Sequence, residues 1–131
     1  MLKLMTLLAL PFIPFVYLHG AAAIAHTATE TEDGVGCELR STQVSRGVQL
    51  QAVATADRMV AGDYQFEVDK RGSAGSSQIA QSGDFDLKSG EEIVLGNVAL
   101  GMDDRASYAA KLTLQWNGGE VSCSARYPSE V

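Results

Sequence analysis

From Cys37 onward the chain alternates apolar and polar positions with the two-residue period of strands that bury one face. The cleanest run puts Tyr64, Phe66 and Val68 on one side and Gln65, Glu67 and Asp69 on the other. Cys37 to Arg40 alternates, and so do Val48, Leu50, Ala52 and Ala54 against Gln49, Gln51 and the small Val53. Ile79 opens a further extended stretch, in which Phe85 and Leu87 oppose Asp84 and Asp86. Ile93, Leu95, Val98 and Leu100 form another apolar set, with Gly96 between them. Tyr108, Ala110, Leu112, Leu114 and Trp116 make a long face opposite Lys111, Thr113 and Gln115, and Val121, Cys123, Ala125 and Tyr127 the last one.

Turn residues separate these runs: Arg46-Gly47, the stretch from Ala56 through Asp63, Lys88-Ser89-Gly90, the loop from Gly101 to Arg105, and Asn117-Gly118-Gly119. Arg71 to Ser77 reads as a flexible connection. No segment holds a convincing helical period over three turns. The pattern predicts an all-β fold, an immunoglobulin-like β-sandwich of about seven antiparallel strands over residues 37–128, with a small barrel as the alternative.

The N-terminal stretch is a different kind of sequence. Lys3 is its one charge, an apolar run from Leu4 through Leu18 follows, and small residues from Ala21 to Ala25 close it. That is the layout of a secretory signal peptide, residues 1–25, with cuts that fit after Ala23 or Ala25. An uncleaved anchor fits less well, because the run is short for a span and contains Pro11 and Pro14. Residues 26–36 are polar and small and are expected to be a disordered lead-in.

Export changes how the cysteines read. Cys37 and Cys123 form an even pair near the two ends of the folded region, which reads first as a disulfide, with two free thiols as the alternative. Closing so long a loop stabilises by roughly 4–5 kcal/mol in the chain-entropy model. The full chain carries 16 acids against 10 basic residues, a net charge of −6. That balance disfavours nucleic acid and, after signal cleavage, anionic membrane surfaces as partners.

Little in the chain suggests catalysis. His19 falls in the leader and His26 at the ragged new N-terminus, which leaves the predicted domain without the histidine of triads, dyads and most zinc sites. Asp84 and Asp86 share one outward strand face rather than confronting each other across a cleft, as paired glycosidase carboxylates do. Asp103-Asp104 lacks the ligand spacing of an EF-hand, and the glycines from Gly72 to Gly75 are not a phosphate loop. Cys123 sits in Ser-Cys-Ser, not in a Cys-x-x-Cys redox motif. Trp116 and Tyr127 are expected in the core or at an edge. The residues therefore predict no enzyme, no cofactor and no metal.

Several segments in order resemble one family. They are Tyr64-Gln65-Phe66-Glu67-Val68 followed by a Gly-rich linker, the run from Ser76 to Phe85, Leu95-Gly96-Asn97-Val98-Ala99-Leu100-Gly101, Tyr108 to Leu112, and Val121-Ser122-Cys123. Together, from about Cys37 to Arg126, they resemble the CsgH family of small periplasmic proteins of curli systems, similar in role to the CsgC proteins. The resemblance implies a monomeric, chaperone-like inhibitor that keeps the curli major subunit, a CsgA-type amyloid protein, from polymerising in the periplasm. CsgC proteins carry a Cys-x-Cys motif that this chain lacks, so no redox activity follows from it. The expected contact surface is an outward sheet face or edge including Glu67, Asp69, Lys111, Gln115 and Arg126, residues that otherwise read as ordinary solvated positions. Two other readings are an adhesive subunit of a surface appendage and a thiol–disulfide exchanger.

Overall fold

The computed structural model describes residues 25–128. Apart from Ala25, the predicted leader lies outside the described residues. Eight strands follow one another: β1 (Ala25–Glu32), β2 (Val35–Val44), β3 (Gly47–Ala56), β4 (Val60–Gly72), β5 (Gly75–Leu87), β6 (Glu92–Gly101), β7 (Ser107–Trp116) and β8 (Gly119–Tyr127). They form two four-stranded sheets, β1-β2-β3-β6 and β5-β4-β7-β8, with every pairing antiparallel. No helix occurs among the described residues.

The predicted alternation explains why the two sheets face each other. Leu39, Leu50, Val98 and Leu100 of the first sheet meet Phe66, Val68, Phe85, Leu87, Leu112 and Leu114 of the second in one buried cluster. Each fully buried large apolar side chain contributes about 1.5–3 kcal/mol relative to exposure. Phe66 is packed so closely against β6 that a Cβ on Gly96 would come within 2.9 Å of its ring and 2.7 Å of the Gln81 Oε1. Beside this contact the β3–β6 ladder shifts register between Ala52 and Val53, leaving Leu95 as the extra residue of a β-bulge.

Cys37 of β2 and Cys123 of β8 are joined by a disulfide between the sheets, with their Cα atoms 5.8 Å apart. Both are buried in the core cluster. The sandwich pattern read from the sequence expects the cysteines to join the first and last strands; the bond links the second strand to the last.

That difference follows from the main correction to the sequence reading. Residues 26–36 are not a disordered lead-in. They contribute β1, the two-residue turn Asp33-Gly34 and the start of β2. Both turn residues have positive φ, 49° and 75°, as a type I′ hairpin requires. The stretch lacks an apolar period because β1 is an edge strand held mainly by its ladder to β2, with Ala28 packing on the core. His26 accordingly lies within β1. The strand count is eight rather than about seven.

Two connections are also shorter than the sequence suggested. Val60 to Asp63 belong to β4, so the turn after β3 is confined to Asp57-Arg58-Met59. Arg71 to Ser77 is not a flexible connection but the tip of the long β4–β5 hairpin, turning through Ser73-Ala74. The Ser73 hydroxyl donates to Asp103 Oδ2 at 2.7 Å, which fixes this tip to the β6–β7 loop. At the opposite end Arg58 binds both the backbone carbonyl and the carboxylate of Asp33, tying the β1–β2 and β3–β4 turns together.

Candidate functional site

The outward positions of β5-β4-β7-β8 form a broad polar face. The pleat that buries Phe66 and Val68 sends Gln65, Glu67 and Asp69 to solvent, and the register of β7 and β8 aligns their outward residues with these. All five sequence-predicted contact residues are exposed on this face. Glu67 stands directly opposite Lys111. Asp69 is opposite Ala109, which is in turn opposite Arg126, so Asp69 and Arg126 flank one small residue in a single row. Gln115 is brought in less closely. It lies four residues along β7 from Lys111, about 14 Å at strand rise, and opposite Asp63.

Charge is unevenly distributed over the face. Arg71, Lys111 and Arg126 lie toward the β4–β5 hairpin tip, with Glu67 and Asp69 among them. Asp63, Asp84, Asp86 and Glu120 collect toward the other end. A depression of ≈ 420 Å³ bordered by Asp69, Arg71, Arg126 and Tyr127 marks the first region. Another of ≈ 330 Å³, bordered by Asp63, Ser82, Asp84 and Gln115, marks the second. Asp63 and Asp84 are directly opposed. Their hydrogen bond and mutual repulsion raise the Asp63 pKa above its ordinary value. The sequence reads Asp84 as an outward strand position and Asp63 as part of a turn, so only the register shows that they meet.

The outer face of β1-β2-β3-β6 differs in kind. Arg40 pairs with Glu38 at 2.7 Å on its own strand and reaches across β3 to Glu92 on β6 at 2.8 Å. Beneath that crossing, Val53 is fully buried although its side chain points away from the core cluster. The hydrogen bonds that Arg40 donates to Glu38 and Glu92 hold its pKa above the ordinary value, and the bond from Arg40 holds the Glu92 pKa below its own.

A wider cleft of ≈ 630 Å³ opens between the sheets at the hairpin-tip end, lined in part by Val44, Val48, Met102, Tyr108 and Tyr127. Tyr108 and Tyr127 stack there with ring centroids 6.1 Å apart. Asp103 at its rim is held below the ordinary carboxylate range by the Ser73 hydroxyl and the Arg105 backbone N–H. Trp116 packs at the other end, against the core and over Gly119. Among the described residues, no group of three or more His, Cys, Asp or Glu side chains is placed to hold a metal ion.

Comparison with known proteins gives this fold relatives. The family model described as CsgH protein matches residues 36–126. The solution structure of R. palustris CsgH is 37% identical and superposes with a TM-score of 0.59, covering 69% of this chain and 89% of that one. The E. coli curli protein CsgC is 16% identical with a TM-score of 0.54, covering 82% of this chain and all of that one, a likeness of fold. No curated protein matches the chain.

Proposed function

The chain belongs to the CsgH family, and on that premise we propose that it is a periplasmic, non-enzymatic inhibitor of curli subunit polymerisation. It binds the major subunit transiently and without covalent chemistry. The two-sheet architecture is assigned to the immunoglobulin-like class. The reading carries to this chain the curli association of the E. coli CsgC protein.

The observation that carries it is the polar face of β5-β4-β7-β8. Its outward positions hold charged, amide, hydroxyl and alanine side chains, with no large apolar residue among Glu67, Asp69, Lys111, Gln115, Arg126 and their cross-strand neighbours. A face of this composition gains little hydrophobic energy from a client. It steers an encounter by charge and lets go again. A chaperone that must leave its client competent for export needs that balance. A mixed-charge region at the hairpin-tip end and an acidic one at the other also orient a polar chain laid across the face.

The test is a solubility assay. Freshly purified curli major subunit is incubated with the oxidised protein and then centrifuged. The proposal expects most subunit to stay in the supernatant long after subunit alone has sedimented as fibres. Equal sedimentation with and without the folded protein would contradict it.

A further inference from the structure

We propose that the free edge of β5, from Ser76 to Gly83, is a strand-docking site. Its occupant is an extended client segment that is uncharged along its length, rich in amide and hydroxyl side chains, and basic at one end. The proposal rests on the inhibitor reading above and assigns it a point of attachment.

A strand at the edge of a sheet presents a row of unpaired N–H and C=O groups, and proteins ordinarily guard such rows. Three of the four edges here are guarded. β1 carries Glu30 and Glu32 and lies against β8, so these two edges shield each other. β8 adds Glu120 and Arg126 and ends at Pro128. β6 is interrupted by the bulge at Leu95. β5 is different. It runs for 13 residues in unbroken register with β4, and from Gly75 to Gly83 it contains no charge and no proline. Its backbone offers about 24 Å of regular edge between Ser76 and Gly83.

The side chains along the edge select the occupant. An added strand sets its residues beside Ser76, Gln78, Ala80 and Ser82 on the outer face, and beside Ser77, Ile79 and Gln81 on the other. An incoming charge beside these residues meets no charged side chain on β5 itself; the charges in its row, Asp69 opposite Gln78 and Glu67 opposite Ala80, stand one strand further in. An incoming Gln, Asn, Ser or Thr finds amide and hydroxyl partners, the side-chain pairing that stacked amyloid strands use. The ends of the run set direction. Asp84 and Asp86 are exposed beyond Gly83, with Asp63 opposite Asp84, and favour a basic residue there. Lys70 and Arg71, opposite Ser77 and Ser76, repel one at the other end. A second copy of this chain is the less favoured occupant, because each molecule carries a net charge of −6.

The experiment compares Gln78→Lys/Ala80→Lys on β5 with Thr27→Lys/Thr29→Lys on the edge of the other sheet. All four side chains are exposed, and both variants change net charge equally. After matching thermal melts, each is added to curli major subunit in a thioflavin-T time course. The β5 variant should need about tenfold more protein for the same delay, equivalent to about 1.4 kcal/mol of binding. The β1 variant should match the wild type. Equal potency of the two variants, whether both retained or both lost, would overturn the docking site while an active wild type leaves the inhibitor reading standing. An inactive wild type would remove both. Amide exchange on the unmodified protein gives a second reading: β5 amides from Ser76 to Gly83 should slow when the subunit is present. Unchanged exchange there, or a dimer protected at β5 without subunit, would also overturn the proposal.

Discussion

Reducing the Cys37–Cys123 bond while leaving both sulfurs in place isolates what the cross-link does for stability. The bond closes a loop spanning 86 residues, for which the chain-entropy relation gives about 4.6 kcal/mol at room temperature. Domains of this size are stable by only about 5–15 kcal/mol in all. With a urea m-value of about 1.5 kcal/mol per molar, the same loss moves the unfolding midpoint by about 3 M. The assay is equilibrium urea unfolding, followed by the fluorescence of Trp116, on oxidised protein and on protein held in reductant. The slope should change less than the midpoint. Cys37→Ala/Cys123→Ala should lose at least as much, because both sulfurs are buried in the core. A loss under about 1.5 kcal/mol would refute the reasoning, since it would mean that the denatured chain already keeps β2 and β8 close without the bond.

Four further outcomes follow from the sheets. Gly96→Ala should destabilise by about 1–3 kcal/mol, measured by denaturant unfolding, because its Cβ meets the Phe66 ring at 2.9 Å in a full core. Arg40→Ala should cost no more than about 1 kcal/mol, because the ion pairs it removes are partly exposed. In the same network Glu92→Gln should be less stable than wild type at neutral pH. Because Arg40 lowers the folded-state pKa of Glu92 below 4.5, that difference should be present above pH 4.5 and vanish as pH falls through the lowered pKa. Asp84→Asn has the opposite sign: with the Asp63 pKa raised, the variant should be the more stable protein at neutral pH. Thermal melts across pH should show the gain fading as pH falls through the raised pKa and toward 3.8.

The core strands were legible because their chemistry is two-sided. Phe66 and Val68 against Glu67 and Asp69, or Leu112 and Leu114 against Lys111 and Gln115, mark both the strand and its buried face, and the structure buries the expected members. β1 was not legible by that rule, since an edge strand with one apolar contact needs no apolar period. Its signals were of another kind: Thr27, Thr29 and Thr31 at alternate positions, and Asp33-Gly34 as a hairpin pair. The small residues of Ser73 to Ser77 resemble a linker by composition, yet with β4 paired alongside they complete a tight hairpin. Outward phase put Glu67, Asp69, Lys111 and Arg126 on one face, but their neighbours depend on register across three strands. Register arises from tertiary packing, and for the same reason neither the Asp63–Asp84 contact nor the bare β5 edge could be read from spacing along the chain.

The central claim is that the folded protein delays curli assembly by transient, non-covalent contact, and a thioflavin-T series run across decreasing ratios of oxidised protein to curli major subunit tests it most directly. The account predicts a lag that lengthens with added protein and persists well below equimolar ratio, with no mixed disulfide on a non-reducing gel. A lag unaffected at any ratio, with folded protein and cognate subunit, would contradict it.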